Sequence, residues 1–458
     1  MRYLSTRGEA PEVGFEEALL AGLAPDGGLY LPVGWPTLPG GAAGLRGLDY
    51  AETAARVLHP FVGEAFTLGE LSAMAAAVYA RFDHPATAPL RQAGPDRWLL
   101  DLVHGPTLAF KDYAMQLLGR LFEASLARRG ERLTIIGATS GDTGAAAVAA
   151  LAGLESVDVA ILHPHDRVSE VQRRQMTTVP ASNVVNVAID GTFDDCQDLV
   201  KAMFADRPFN QAMRLGGINS INWARIATQA VYYAYAAVRL QGPVTFVVPT
   251  GNFGNVFAGH VARSMGLPIG TLVVATNVND ILARFFEGNG TYAADVVQPT
   301  LSPSMDIQVA SNFERALFAA NGGDAVAVRR LMERFKQARR FTVEPAAFAW
   351  LRKRFRAFRS DEAETIAAIA GAAEAGLGAI DPHTAVGLHA SAELALDGPV
   401  VTLATAHAAK FPDAARAAGQ AVPALPHHLS DLYDREERMT VLPNDLGTVQ
   451  QHLRAAFR

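Results

Sequence analysis

From about residue 132 onward, short unbroken runs of apolar and β-branched residues alternate with helical stretches, and this rhythm limits the fold more than any other feature. The runs are ERLTIIGAT, VDVAILHP, VVNVAID, PVTFVVPT, GTLVVATN and PVVTLATA. Helical composition fills the intervals at about 144–152, 168–178, 222–240 and 255–265. A strand with one wet face alternates apolar and polar residues, whereas continuous apolar strands separated by helices belong to a parallel sheet covered on both faces. The chain is expected to be an α/β protein built on parallel sheets.

Two segments depart from the rhythm. Residues 1–92 hold Pro/Gly turns (APDGGLYLPVGWPTLPGG) followed by helical composition, and are expected to form an N-terminal domain. Residues 93–240 and 241–458 then form two α/β subdomains, the second carrying an insertion at about 282–378. That insertion is Arg-rich (VRRLMERFKQARR, LRKRFRAFRS) and reads as helical with a solvated basic face. With 458 residues, half of them apolar, the chain has ample material for a large core. Its net charge of −6, without a basic stripe, argues against nucleic acid as a partner. No apolar run reaches the roughly 18 residues a membrane span needs, and the first twenty residues carry acids and Gly/Pro where a signal peptide needs an apolar stretch. A single cysteine, Cys196, excludes an internal disulfide and suits a reducing cytoplasm.

Basic residues are nearly all arginine; the five lysines are Lys111, Lys201, Lys336, Lys353 and Lys410. Arginine keeps its proton, while lysine can release one and attack a carbonyl, so amine chemistry is confined to those positions. Lys111 lies in HGPTLAFKD, where a Gly/Pro turn gives way to helical composition at 110–127. The positive end of a helix and the apolar neighbour Phe110 both depress an ammonium pKa. Lys410, in ATAHAAKF after the last strand, is the rival amine.

Two turns at strand ends suit anions. Gly251, Asn252, Phe253, Gly254 and Asn255 follow PVTFVVPT and open a helix, which converges backbone N–H groups on a helix N-terminus. The turn lacks the Lys-Ser/Thr of a nucleotide loop, and by itself it implies an anion site or simply a tight connection. The second turn is Ser140-Gly141-Asp142-Thr143-Gly144, whose hydroxyls and carboxylate are also ordinary helix caps. Both fall at the C-terminal ends of parallel strands, where open α/β sheets bind ligands. The histidine pairs His163/His165 and His427/His428 lack metal-ligand spacing, so no metal is expected.

Together HGPTLAFKD, ATSGDTG, INSINWARI, PTGNFGN, SPSMDI, ATAHAAKF and the early APDGGLYLP resemble the threonine synthase family, in its longer branch with an extra N-terminal domain. The resemblance runs over essentially the whole chain. One departure is Ala408, where that branch usually has proline; no reactive group is lost.

The resemblance implies two parallel-sheet subdomains of the fold-type II pyridoxal-phosphate (PLP) enzymes, tryptophan synthase β-like, with an N-terminal domain and the helical insertion. It implies PLP as cofactor, held as a Schiff base by Lys111, its phosphate in the turn of Gly251, Asn252, Phe253, Gly254 and Asn255, and its pyridine nitrogen facing Thr405. Ser140, Asp142 and Thr143 then lie by the substrate carboxylate and the ring edge, and Asn219, Ser220 and Arg225 by the substrate phosphate. The reaction implied is O-phospho-L-homoserine plus water to L-threonine and phosphate, in a cytoplasmic monomer or homodimer with no membrane or nucleic-acid partner. The alternatives are another fold-type II enzyme, such as a dehydratase, or a non-catalytic relative that keeps the fold as a binding module.

Overall fold

The computed structural model describes residues 1–240 and 242–457. Two sheets carry the architecture. The first has five strands, all parallel, in the order Thr440–Pro443, Val184–Asp190, Val157–Pro164, Leu133–Ala138, Leu215–Gly216. The second has six, in the order Phe355–Arg359, Ile269–Thr276, Val244–Pro249, Val400–Ala404, Arg97–Asp101, Leu90–Gly94. Its pairs are parallel except the last, where Leu90–Gly94 runs antiparallel to Arg97–Asp101. The expected apolar runs form the interior strands of both sheets. Val244–Pro249 and Val400–Ala404 are buried at every position, as strands covered on both faces must be.

The sheets do not divide at the expected boundaries. Leu90–Gly94 and Arg97–Asp101 straddle residue 92 and pair in the second sheet, although 93–240 was expected to build the first. Thr440–Pro443 returns from the other end of the chain to the edge of the first sheet. The chain therefore passes between the sheets three times: before residue 133, between residues 216 and 244, and after residue 404.

The insertion is not purely helical. Residues Thr291–Ala293 pair antiparallel with Arg340–Thr342, and Phe355–Arg359 forms an edge strand beside Ile269–Thr276. The stretch LRKRFRAFRS, expected as helix, ends its helix at Arg352. Phe355 is buried while Arg356 and Arg359 are exposed, so a β-edge buries the aromatic and leaves the guanidinium groups in water. The helix Ala325–Ala338 does bury Val328 and Leu331 and expose most of its basic residues.

In the N-terminal region Tyr3–Ser5 pairs with Tyr30–Pro32, and the helices Tyr50–Val62 and Leu68–Tyr79 pack side by side. Each helix starts with a capping box, Asp49 with Glu52 and Thr67 with Glu70, in which side chains satisfy otherwise orphaned N–H groups. This region packs on the helix Trp223–Leu240, which is buried along almost its whole length. That helix also contacts Lys111–Arg129 and Gly254–Ser264, so one buried rod fixes the relative position of the Lys111 helix and the glycine turn.

Candidate active site

The cleft lies where the C-terminal ends of the two sheets converge, enclosing about 690 Å³ including its open mouth. Its walls include Lys111, Asp142, Thr143, Ser220, Arg225, the five residues 251–255 and Thr405. Asn219 and Ser140 are not among the wall residues, and Asn219 is exposed.

Lys111 is the first residue of the helix Lys111–Arg129, at the helix's positive end. Burial pushes its ammonium below the usual lysine range, against the pull of Asp142. Its Nζ donates to Asp142 Oδ2 at 3.0 Å. The other carboxylate oxygen accepts from Lys410 Nζ at 2.6 Å and Gln172 Nε2 at 2.8 Å. Burial alone would raise the Asp142 pKa, but the two ammonium groups overcome it and hold the carboxyl well below its usual range. The Asp142 carboxylate is thus committed to cations, which leaves Thr143 and backbone N–H groups on that wall to meet a bound carboxylate. Lys410 is fully buried behind the wall, outside the cleft.

The glycine turn lines the cleft just ahead of a helix N-terminus. Phe253 caps the following helix in the left-handed region (φ 64°), and its N–H donates to Gly251 O at 2.9 Å. The first N–H groups of the helix Gly254–Ser264 have no acceptor within that helix. A Cβ on Gly251 would lie 2.7 Å from Ser304 O, so only glycine lets the 302–306 loop close against the turn. Asn255 Oδ1 accepts from Tyr232 and Tyr233, which leaves Nδ2 buried with no partner at the wall of the cleft. Free backbone donors, an unpartnered amide donor, an amine and the Thr405 hydroxyl suit an aldehyde cofactor bearing a phosphate and a heteroaromatic nitrogen.

Arg225 is a second buried cation at the cleft wall. It is 2 % exposed, and no carboxylate pairs with it among the described residues. Nη1 donates to Ile218 O at 2.9 Å, while Nε is buried without an acceptor. Burial lowers its pKa to about 10, so it stays a cation at neutral pH. An unpaired buried cation is costly unless a ligand neutralises it. Asn222, in the same string, is structural: its amide donates to Leu19 O and its carbonyl accepts from Ala224 N–H.

Asp381 and His383 went unnoticed in the sequence. Asp381 accepts from His383 Nδ1 at 2.8 Å and from the Thr384 hydroxyl. His383 Nε2 then accepts from Ser304 N–H, on the loop beneath Gly251, while Thr384 Oγ1 accepts from Thr405 N–H. One buried carboxylate therefore ties together the loop under the glycine turn and Thr405. Asp-Pro-His-Thr at a helix start was the available signal, and it reads equally as an ordinary N-cap. Among the described residues no group of His, Cys, Asp and Glu is arranged to hold a metal, and no helix is long and apolar enough to cross a membrane.

Family models match the chain in three consecutive parts. They are described as threonine synthase N terminus (residues 2–79), pyridoxal-phosphate dependent enzyme (84–370) and threonine synthase, C-terminal (384–453). Threonine synthase of Pseudomonas aeruginosa is 52% identical, covering 98% of this chain and 97% of that one. A PLP-bound threonine synthase structure from Brucella melitensis superimposes with a TM-score of 0.97 at 51% identity, covering all of both chains. The yeast enzyme's structure superimposes at 0.93 with 37% identity, over 99% of this chain and 98% of that one.

Proposed function

The chain belongs to the threonine synthase family of PLP-dependent lyases, and from that premise we propose that it converts O-phospho-L-homoserine and water to L-threonine and inorganic phosphate, the last step of threonine biosynthesis. The observation that carries the reading is the unpaired, buried Arg225 in the same cleft as Lys111 and the glycine turn. An enzyme that only held PLP and a plain amino acid would need one phosphate site; this cleft has donors for two.

In this reading Lys111 is the Schiff-base lysine, the 251–255 turn and Asn255 Nδ2 hold the cofactor phosphate, and Thr405 offers a neutral hydroxyl to the pyridine nitrogen. Bound PLP supplies an electron sink that makes the substrate's Cα and Cβ protons removable. The Lys111 amine would be the base that takes the Cα proton of bound substrate. Its place at the start of the helix Lys111–Arg129, at the cleft wall, puts the amine in the space where substrate would bind. Arg225, with Ser220, grips the substrate phosphate and carries its charge as it leaves Cγ. A Cβ proton must leave as the Cγ–O bond breaks and phosphate departs; a proton then returns to Cγ, water adds its hydroxyl at Cβ, and a proton returns to Cα to give threonine. Thr143 and the helix N-terminus behind Ser140 meet the substrate carboxylate. Cys196 is a buried free thiol, in keeping with a cytoplasmic location.

Incubation of the PLP-loaded protein with phosphohomoserine should release phosphate and threonine in equal amounts, with no ammonia. Ammonia release from threonine or serine without phosphate turnover would instead mark a dehydratase.

A further inference from the structure

Two lysines share one carboxylate, and their surroundings differ. Lys410 Nζ lies 2.6 Å from Asp142 Oδ1 and donates a second bond to Thr107 O at 2.7 Å. Lys111 Nζ has a single acceptor, Asp142 Oδ2 at 3.0 Å, and stands at the cleft wall. Lys410 is completely shielded and reaches no ligand space. Among the described residues Asp142 is the one carboxylate in ion-pair contact with either amine, and Asp112 adds a further negative charge on the Lys410 side. Lys410 has the two acceptors and the shorter contact, whereas Lys111, with one longer contact at the cleft wall, is the amine placed to give up its proton.

The remaining charged or titratable groups facing this cluster are few. Arg225, on the helix Trp223–Leu240, adds a positive field at Lys111. Asp112, on the Lys111 helix, accepts from Thr107 N–H and hydroxyl and so backs the carbonyl that holds Lys410. His407 precedes the short turn that carries Lys410, and burial lowers its pKa. The helix Glu170–Thr177 contributes only neutral amides, Gln172 to Asp142 and Gln175 to Thr107 O.

Resting on the assignment of Lys111 above, we propose that Lys410 is a positioning residue: its fixed charge keeps Asp142 ionised and in place, and so lets Lys111 act as the neutral amine of the pair. When Lys111 is bonded to the cofactor or free to take a proton from substrate, Asp142 keeps a permanent partner and is not left as an uncompensated buried anion. Without Lys410 the carboxylate would face the Lys111 nitrogen alone and make it more basic.

The test is a pH titration of the visible absorption of the cofactor-loaded protein, with peptide mapping after borohydride reduction. Lys410→Met should keep the label on Lys111 and raise the titration midpoint of the cofactor-linked nitrogen by about one pH unit or more, shifting the acidic limb of kcat/KM with it. Lys410→Arg keeps the charge and should hold the midpoint within about 0.3 unit of wild type. An unmoved midpoint in Lys410→Met, or an equal upward shift in Lys410→Arg, overturns the proposal. If Lys410→Met does not fold, Lys410→Gln, which also removes the charge but can still donate to Thr107 O, takes its place with the same expected upward shift and the same overturning result. Label on Lys410 would instead refute the Lys111 assignment, so the two failures are distinguishable.

Discussion

Tyr232 places its hydroxyl 2.6 Å from Asn255 Oδ1, and Tyr233 adds a second donor to the same oxygen at 2.9 Å. Two donors on one amide oxygen fix which way the amide points and leave Nδ2 buried without a partner, on a residue that lines the cleft. Asn255→Ala should weaken PLP retention by about 10-fold or more, since it deletes a donor in a buried phosphate site. Tyr232→Phe should weaken it by about 3- to 10-fold, because one hydroxyl still orients the amide. Cofactor dissociation followed by absorbance measures both. Retention equal to wild type in Asn255→Ala would remove this amide from the cofactor site.

Arg225→Ala should leave the PLP spectrum intact, since the reading proposed above assigns the cofactor phosphate to the 251–255 turn. Loss of a charge-assisted contact to a desolvated phosphate should lower kcat/KM on phosphohomoserine by roughly 2–4 kcal/mol, or about 30- to 1,000-fold. Arg225→Lys should recover only part of the loss, since it cannot bind through two parallel bonds. Turnover within about threefold of wild type in Arg225→Ala would place the substrate phosphate elsewhere.

These two sites differ in how far the sequence revealed them. The glycine turn, Lys111 and Arg225 were legible because each sits at a strand end or helix start that the apolar rhythm locates. The partners that give them their properties were not. Nothing in the local pattern says that Tyr232 and Tyr233 face Asn255, or that Lys410 reaches Asp142 across the cleft wall. Such contacts depend on how two sheets and a buried helix are docked. The fold shows the same division. Val157–Pro164 and Val184–Asp190 form as continuous apolar strands read locally. By contrast, Phe355–Arg359 hides in an Arg-rich stretch, because only its place beside Ile269–Thr276 makes burying one aromatic face worthwhile. Thr440–Pro443 is short and half exposed, so no apolar run announces it.

His260 is buried among Trp35, Phe257, Trp350 and Phe355, with neither ring nitrogen hydrogen-bonded. Burial, helped by Arg354 and Arg263, pushes its pKa down to about 3. The unfolded chain takes up the proton near pH 6.5 and the folded chain does not, so stability is full above that pH and declines as pH falls toward 3. The decline attributable to His260 should be about 2 kcal/mol at pH 5. His260→Phe should reduce the difference in urea-unfolding free energy between pH 7.5 and pH 5 by about that amount. An unchanged difference would mean that other groups cause the acid sensitivity.

In the proposed enzyme one amine, Lys111, works between two anion sites while the second buried amine does not react. Borohydride reduction of the PLP-loaded protein, followed by peptide mapping, tests it directly. The cofactor should be found on the peptide containing Phe110-Lys111-Asp112, and Lys111→Ala should abolish both the label and phosphate release from phosphohomoserine. A label on Lys410, or turnover that survives Lys111→Ala, would contradict the account.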